Sequence, residues 1–307
     1  MPSLLELPDV PMTKILEKCD YKSVLTLRKV CHSIRSFIDD SSFKTDFDAI
    51  RIDTSPSGFT VICKNALVGD GYAEDWTSND LKIILKMVQN IKILCICVNA
   101  TPDNVGCLND LEEILKNQTR PLQTEWFEML GAEILKVLPY LDSKSLKKIS
   151  VRPASYETFY QNLDGLEKMM ELEQFKNAVE LDISHFFLVR ADLRKFFHFR
   201  RIDVRHPETS LEELVALKQA FVTSTHMECF KFGDFRWNEN GLDENQLGQL
   251  FGTPFHEKED GFPIRDSQWF FRLHDCKEYV LRIYLFVKLE FSKVKAKDVP
   301  QDAVVQH

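Results

Sequence analysis

Residues Leu4 to Asp40 read LLELPDVPMTKILEKCDYKSVLTLRKVCHSIRSFIDD, and this stretch organises the rest of the chain. It reads as three short helices. Asp9 is positioned as an N-cap, and Pro11 falls in the first turn, where a missing N–H costs nothing. Met12, Ile15, Leu16 and Cys19 follow at i, i+3, i+4 and i+7, one apolar face. Asp20 and Ser23 supply cap chemistry for a second helix with Val24, Leu27 and Cys31 on one side, while Leu25 and Val30 lie off that side. A last turn or two carries Ile34, Phe37 and Ile38. So short a segment rarely buries enough surface to stand alone. With apolar groups on more than one face, it must pack on the rest of the chain as a helical cap, or meet a partner.

Leu7-Pro8, Ile15-Leu16, Leu25, Leu27, Arg28 and Val30-Cys31 resemble the F-box, whose motif runs Leu-Pro, Ile-Leu, a Leu-rich second helix, then Val-Cys. The resemblance implies a three-helix module that docks on the Skp-type adaptor of a cullin-based ubiquitin ligase. Carried over by position, Leu7, Pro8, Met12, Ile15, Leu16, Leu25, Leu27 and Val30 are the adaptor-facing or core positions. Ile34 stands where many F-boxes carry Trp, so local packing differs there.

Composition sets the frame around this module. The chain has 307 residues, 44% hydrophobic and 28% charged, the balance of a globular protein with room for a sizeable core. Phe occurs 23 times, so ring packing should dominate that core. A formal net charge of −8 argues against a surface built for nucleic-acid phosphates or anionic membranes. The 8 Cys show no framework spacing and no C-x-x-C pair. No signal-peptide pattern and no membrane-spanning apolar run is present. The expectation is a soluble protein of the cytoplasm or nucleus, with reduced thiols.

Beyond the first module, Ala49 to Asp53 and Phe59 to Cys63 alternate like strands around the turn chemistry of Ser55-Pro56-Ser57-Gly58, a hairpin. Val68 to Asp75 reads as a loop. Ser78 or Asn79 then caps a helix with Leu81, Ile84, Leu85 and Val88 on one face, and Ile91 to Val98 reads as a buried strand. From there a short helix followed by a short strand recurs: AEILKVLPYL then LKKISV, LEKMMELEQF then VELDIS, DLRKFFHF then RIDVR, LEELVALKQAF then ECFKF. Asp243 to Phe251 is one more helix, and Tyr279 to Phe291 a long final strand. Units of this length fall in the range of leucine-rich-repeat solenoids, although the asparagine ladder is missing. The expected fold class is α plus α/β, a three-helix F-box followed by a leucine-rich-repeat-like α/β solenoid. An ordinary α/β or α+β domain is the other reading.

With QFKNAVELDIS and FRRIDVRH in such units, the chain resembles the F-box/FTH (FOG-two homology) proteins, a family expanded in nematodes. In that family the second domain is taken to bind the protein to be marked. The resulting division is an F-box over 1–42, a linking α/β segment over 43–120 that starts the repeat-like region, a target-binding FTH/repeat-like domain over 121–292, and a polar tail over 293–307. The FTH part proper runs from about Pro121 to Gly252.

Nothing in the sequence assembles a catalytic centre. Cys31-His32 sits in the F-box helices, where packing is its role. Cys95 and Cys97 lie two apart on a strand as small hydrophobes. His256-Glu257-Lys258-Glu259 is not H-E-x-x-H, the histidines lack metal-ligand spacing, and Gly69, Gly71 and Gly106 make no phosphate loop. No metal and no cofactor is expected. A hydrolase with a Cys or Ser nucleophile is the reading from another class, and no paired base supports it.

Alternation of side chains along the repeat strands predicts a binding face instead. Leu181 and Ile183 point inward, leaving Glu180, Asp182 and Ser184 outside. Ile202 and Val204 point inward, leaving Arg201, Asp203 and Arg205 outside. Ile149 and Val151 do the same for Lys148, Ser150 and Arg152. In the last strand Leu281, Ile283, Leu285 and Val287 form one face; Arg282, Tyr284, Phe286 and Lys288 form the other. Asp182, Arg201, Asp203, Arg205, Arg282, Tyr284 and Phe286 are the candidate target-binding residues, since Tyr and Arg are enriched at hot spots. Charge pairing between neighbouring strands is the competing explanation. Arg190, Arg194, Lys195, Arg200, Arg201 and Arg205 cluster locally as a rim that suits an acidic or phosphorylated segment. The function expected is a non-catalytic substrate-recognition subunit of a Skp-cullin-F-box ubiquitin ligase, whose target the sequence does not name. The alternative is an adaptor-binding protein outside a working ligase.

Overall fold

The computed structural model describes residues 8–40, 44–55, 58–64, 74–98, 105–153, 161–163, 165–232, 243–256, 266–286 and 288–306. Leu7, Gly69, Gly71, Glu257 to Glu259 and Val287 lie outside the described residues. The chain divides into two compact units, Met1–Leu146 and Lys147–His307.

The first unit opens with α1 (Asp9–Leu16), α2 (Tyr21–Val30) and α3 (His32–Asp40). Pro8, not Asp9, occupies the N-cap of α1, and Asp9 sits in its first turn, where a carboxylate complements the helix dipole. Asp20 caps α2 through the Ser23 N–H at 2.7 Å. Met12, Leu16, Tyr21, Val24, Ile34 and Ile38 are buried. The Tyr21 ring lies 5.9 Å from Phe47 and 6.2 Å from Trp76, fastening α2 to the strands that follow. Those strands are β1 (Thr45–Ser55), β2 (Gly58–Lys64) and β3 (Glu74–Trp76), then α4 (Ser78–Met87), β4 (Val88–Val98), α5 (Val105–Lys116) and β5 (Thr124–Leu130). Their sheet order is β3-β2-β1-β4-β5. The β1–β2 and β2–β3 pairs are antiparallel; β1–β4 and β4–β5 are parallel, each bridged by a helix. Thr77 and Asp80 form the capping box of α4, one residue before the expected cap.

The second unit begins with β6 (Lys148–Arg152), β7 (Gln161–Asn162), α6 (Leu166–Glu171), α7 (Glu173–Asn177), β8 (Glu180–Leu188) and β9 (Arg201–Arg205). It continues with α8 (Leu211–Thr223), β10 (Cys229–Phe232), α9 (Glu244–Phe251), β11 (Ser267–Leu273), β12 (Cys276–Leu285), β13 (Leu289–Lys295) and β14 (Val305–Gln306). Strand order here is β6-β8-β9-β10-β13-β12-β11-β14, with β7 on β8. The β6–β8, β8–β9 and β9–β10 pairs are parallel. An antiparallel meander of β13, β12 and β11 completes the sheet, with β14 parallel to β11.

Phenylalanines fill this unit as their number led us to expect. Phe175 meets Phe199 edge-on at 5.0 Å. Phe251 gathers Trp269, Phe271 and Phe291 at 5.9, 6.1 and 6.0 Å. Gly252 ends α9 at φ 84°, a conformation that strains any side chain. A Cβ there would meet the Gln306 side chain at 3.1 Å. Gln306 uses the space to donate to the Phe251 carbonyl at 2.7 Å.

Three expectations give way here. DLRKFFHF makes only a 3-10 turn, Leu193–Phe196, and AEILKVLPYL makes two, Ile134–Lys136 and Leu138–Tyr140. Tyr279 to Phe291 is not one strand but the adjoining parts of β12 and β13, folded back so that Tyr284 pairs with Glu290 and Ile283 with Phe291. The stretch 293–307 is not a loose tail: it holds the end of β13, a 3-10 turn at Ala296–Asp298, and β14.

Candidate functional site

Two surfaces carry the residues singled out from the sequence. On the F-box helices, Met12 and Leu16 are core residues, 5% and 1% exposed. Ile15, Leu25 and Leu27 are half-buried and Pro8 is exposed. Val30 is 64% exposed, and Val10, which motif matching passed over, is 67% exposed. Its only signal in the sequence was an apolar residue between Pro8 and Pro11, off the face of Met12 and Leu16. Ile34, standing where many F-boxes have Trp, is buried. Arg28 ties α2 to α3: its Nε donates to Asp39 Oδ1 at 2.7 Å and its Nη2 to Oδ2 at 3.0 Å. That bond raises the Arg28 pKa further. The arrangement is a rigid helical corner with apolar side chains left outward.

The second surface is the polar side of the sheet in the second unit. Alternation holds from Arg201 to Val204 in β9 and from Leu281 to Tyr284 in β12, where Ile202, Val204, Leu281 and Ile283 are buried; Leu285, expected on the inner face, is only half-buried. Arg201 is exposed, while Asp182, Asp203, Arg282, Tyr284 and Phe286 are half-buried. Phe286 lies in the β12–β13 turn, where its N–H donates to the Lys288 carbonyl at 3.2 Å. Two residues depart from the expected face. Arg205 is 7% exposed and Ser150 fully buried. The register of β8 slips between Ile183 and Leu188, so that Leu188 pairs with Arg205. Val189 N–H then bonds the Arg205 carbonyl at 2.8 Å.

Charges on this face are matched across strands. Arg152 pairs with Asp182 at 3.2 Å, Lys288 with Asp203 at 3.5 Å, and Lys231 with Glu290 at 3.2 Å. Arg201 reaches Glu180 at 3.3 Å and Glu228 at 3.0 Å. The hydrogen bond from Arg200, with help from Arg201, holds the Glu228 carboxyl below its ordinary pKa. Arg282 contacts Glu290 at 3.4 Å and lies over the Tyr284 ring at 5.3 Å. The expected basic rim is largely neutralised: Arg190 pairs with Glu208, Arg194 with Asp192, Arg200 with Glu228.

The other chemical candidates are structural. Cys95 and Cys97 are buried on β4, and burial, reinforced by Glu128, pushes the Cys95 thiol up to about 12. None of the eight cysteines forms a disulfide. Among the described residues no cluster of three or more His, Cys, Asp or Glu is arranged to hold a metal. No described helix is long and apolar enough to cross a membrane.

Comparison with protein families matches an F-box domain over residues 4–46 and an FTH domain over residues 105–255. The first match covers α1 to α3, and the second runs from the start of α5 to just beyond α9. A search of curated proteins finds no match. The motif spacing of Leu4 to Asp40, the three helices it forms and these two matches agree: the chain is an F-box protein with an FTH domain.

Proposed function

We propose that this chain is the substrate-recognition subunit of a Skp-cullin-F-box ubiquitin ligase, working without catalysis of its own in the cytoplasm or nucleus. The F-box recruits the Skp-type adaptor and, through it, a cullin; the second unit holds the target. Its contribution to the reaction is effective concentration, keeping the target beside a ubiquitin-loaded enzyme carried elsewhere in the assembly.

The observation that carries the adaptor half is the apolar surface on the F-box helices, where Val10 and Val30 are 67% and 64% exposed. Covering each contributes roughly 1 to 2 kcal/mol. Leu7, Pro8, Ile15, Leu25, Leu27 and Val30 form the contact in this reading, and Met12 and Leu16 hold its shape from inside.

For the target half, the parallel run β6-β8-β9-β10, with helices or turns between successive strands, supports a leucine-rich-repeat-like reading. The sheet face carrying Asp182, Arg201, Asp203, Arg282, Tyr284 and Phe286 is then the target surface. Arg205 leaves the set because it is buried. Affinity purification from cells tests both halves. The wild-type chain should bring down adaptor, cullin and target, and a variant with Arg201→Ala and Tyr284→Ala should lose target while keeping adaptor. Wild type without adaptor, or a variant that keeps all its partners, overturns the reading.

A further inference from the structure

The register of the second unit sets two rows of side chains next to each other on its polar sheet face. Lys231 of β10, Glu290 of β13 and Tyr284 of β12 are cross-strand partners, and so, one row along, are Ser292 of β13 and Arg282 of β12. Residues paired in this way, and residues two apart along a strand, point to the same side. Within this patch Glu290 is shared: Oε2 lies 3.2 Å from Lys231 Nζ and Oε1 lies 3.4 Å from Arg282 Nη2. Two cations therefore face one carboxylate, and Lys231 is the nearer. Arg201, by contrast, reaches two acids, Glu180 and Glu228.

Little holds the Arg282 guanidinium where it lies. A guanidinium carries five N–H donors, and among the described residues the 3.4 Å contact to Glu290 is its only hydrogen bond. Its Nε–H is covered and has no acceptor. Ser292, directly opposite and 7% exposed, has a buried hydroxyl that is likewise without a partner. Buried polar groups in folded proteins are nearly always satisfied, so two orphans at facing positions mark a pose that the guanidinium leaves at small cost. The Arg282 side chain is 32% exposed and lies over the Tyr284 ring at 5.3 Å, a flat support from which it can turn outward. When it turns, Glu290 keeps Lys231 and is not left as an unpaired acid.

We propose that Arg282 is the specificity-determining residue of the target surface: on binding it turns from Glu290 and pairs with one aspartate or glutamate side chain of the target. The proposal deepens the target-binding reading and rests on it. A carboxylate accepts two parallel N–H bonds from a guanidinium, including the Nε–H that goes unused in the free chain. The local surplus is one positive charge, which suits one carboxylate. A nucleic-acid backbone needs a track of available cations, and the neighbouring ones are already paired with Asp182, Asp203, Glu180 and Glu228.

The test uses short random peptides displayed on phage through their C-termini, so that no free terminal carboxylate is present, and selected on the purified full chain. Selection should enrich one position for Asp or Glu. The selected peptide should bind the Arg282→Ala chain at least about ten-fold more weakly. Replacing its acid by Asn or Gln should weaken binding to the wild type by a similar factor and leave binding to the Arg282→Ala chain unchanged, the coupling expected of a direct pair. Selection on Arg282→Glu should turn that position basic. Arg282→Ala should keep the wild-type melting temperature, because only the 3.4 Å contact is lost; if Arg282→Glu melts early, the Arg282→Ala coupling decides alone. No enriched acid, or losses from Arg282→Ala and from the acid replacement that simply add, overturns the proposal. No adaptor and no cellular target takes part, so that failure leaves the target-binding reading standing. Failure of the reading itself shows in cells as full target recovery by the Arg201→Ala, Tyr284→Ala chain.

Discussion

Arg28 and Asp39 close the corner between α2 and α3 with two parallel hydrogen bonds, 2.7 Å from Nε and 3.0 Å from Nη2. The Arg28 side chain is only 13% exposed and that of Asp39 34%, so the pair is less screened than a surface ion pair. Fork-to-fork geometry also fixes the angle between the two helices. Asp39→Asn should therefore loosen α3 by about 1 kcal/mol and speed amide exchange across His32 to Asp40, with the second unit unaffected. Unchanged exchange in α3 would show that the pair is decorative.

His206 gives the second unit a pH dependence with a definite sign. The ring is buried, 6% exposed; its Nε2–H donates to the Ala191 carbonyl at 2.7 Å, and Nδ1 lies 3.1 Å from Thr209 Oγ1. Burial lowers its pKa below the ordinary 6.5, and Arg190 adds to this, while the Ala191 bond, Glu213 and Asp192 oppose it. The unfolded chain takes up a proton near pH 6.5 that the folded ring refuses. Stability is thus fully present above 6.5 and is lost as pH falls from there toward the depressed folded value, at a limiting slope of about 1.4 kcal/mol per pH unit. Thermal melts between pH 8 and 5 should show this loss, and His206→Gln should flatten it. A profile identical in the variant would remove His206 as the cause.

The C-terminal stretch is predicted to be structural. Gln306 bonds the Phe251 carbonyl, and Val305 and Gln306 pair with Phe270 and Phe271 on the outer edge of β11. Ending the chain at Lys295 bares that edge and should lower the melting temperature and promote association at the exposed strand. A truncated protein with the wild-type melt and no self-association would return residues 296–307 to the status of a tail.

These cases mark where the sequence was legible. Asp20 as a cap and the inward Ile202, Val204 and Ile283 followed from local rules, because each depends on neighbours a few positions away. The F-box helices followed from motif spacing for the same reason. Arg205 did not, because burial at the end of a strand depends on what the rest of the fold lays over it, which alternation along β9 cannot sense. The β12–β13 turn was hidden because Phe286 to Lys288 contains no Gly, Pro or Asn to mark it. The turn at Leu193–Phe196 was read as a helix because one turn of either kind spaces Leu193, Phe196 and Phe197 alike. Val10 escaped because an exposed apolar residue is visible as such only after the helix has chosen its buried face.

Recruitment of a Skp-type adaptor by the exposed apolar side of the F-box is the central claim, and Val30 tests it most directly. At 64% exposure, a change to Glu costs the isolated chain within about 0.5 kcal/mol of stability. In a complex it buries an unpaired carboxylate against apolar neighbours, which costs several times more. The measurement is adaptor affinity of the purified chain, by calorimetry, for wild type and Val30→Glu at matched melting temperatures. The account predicts tight binding by the wild type and a loss of at least about 100-fold in the variant, the equivalent of roughly 2.7 kcal/mol. Equal affinity of the two proteins would contradict it.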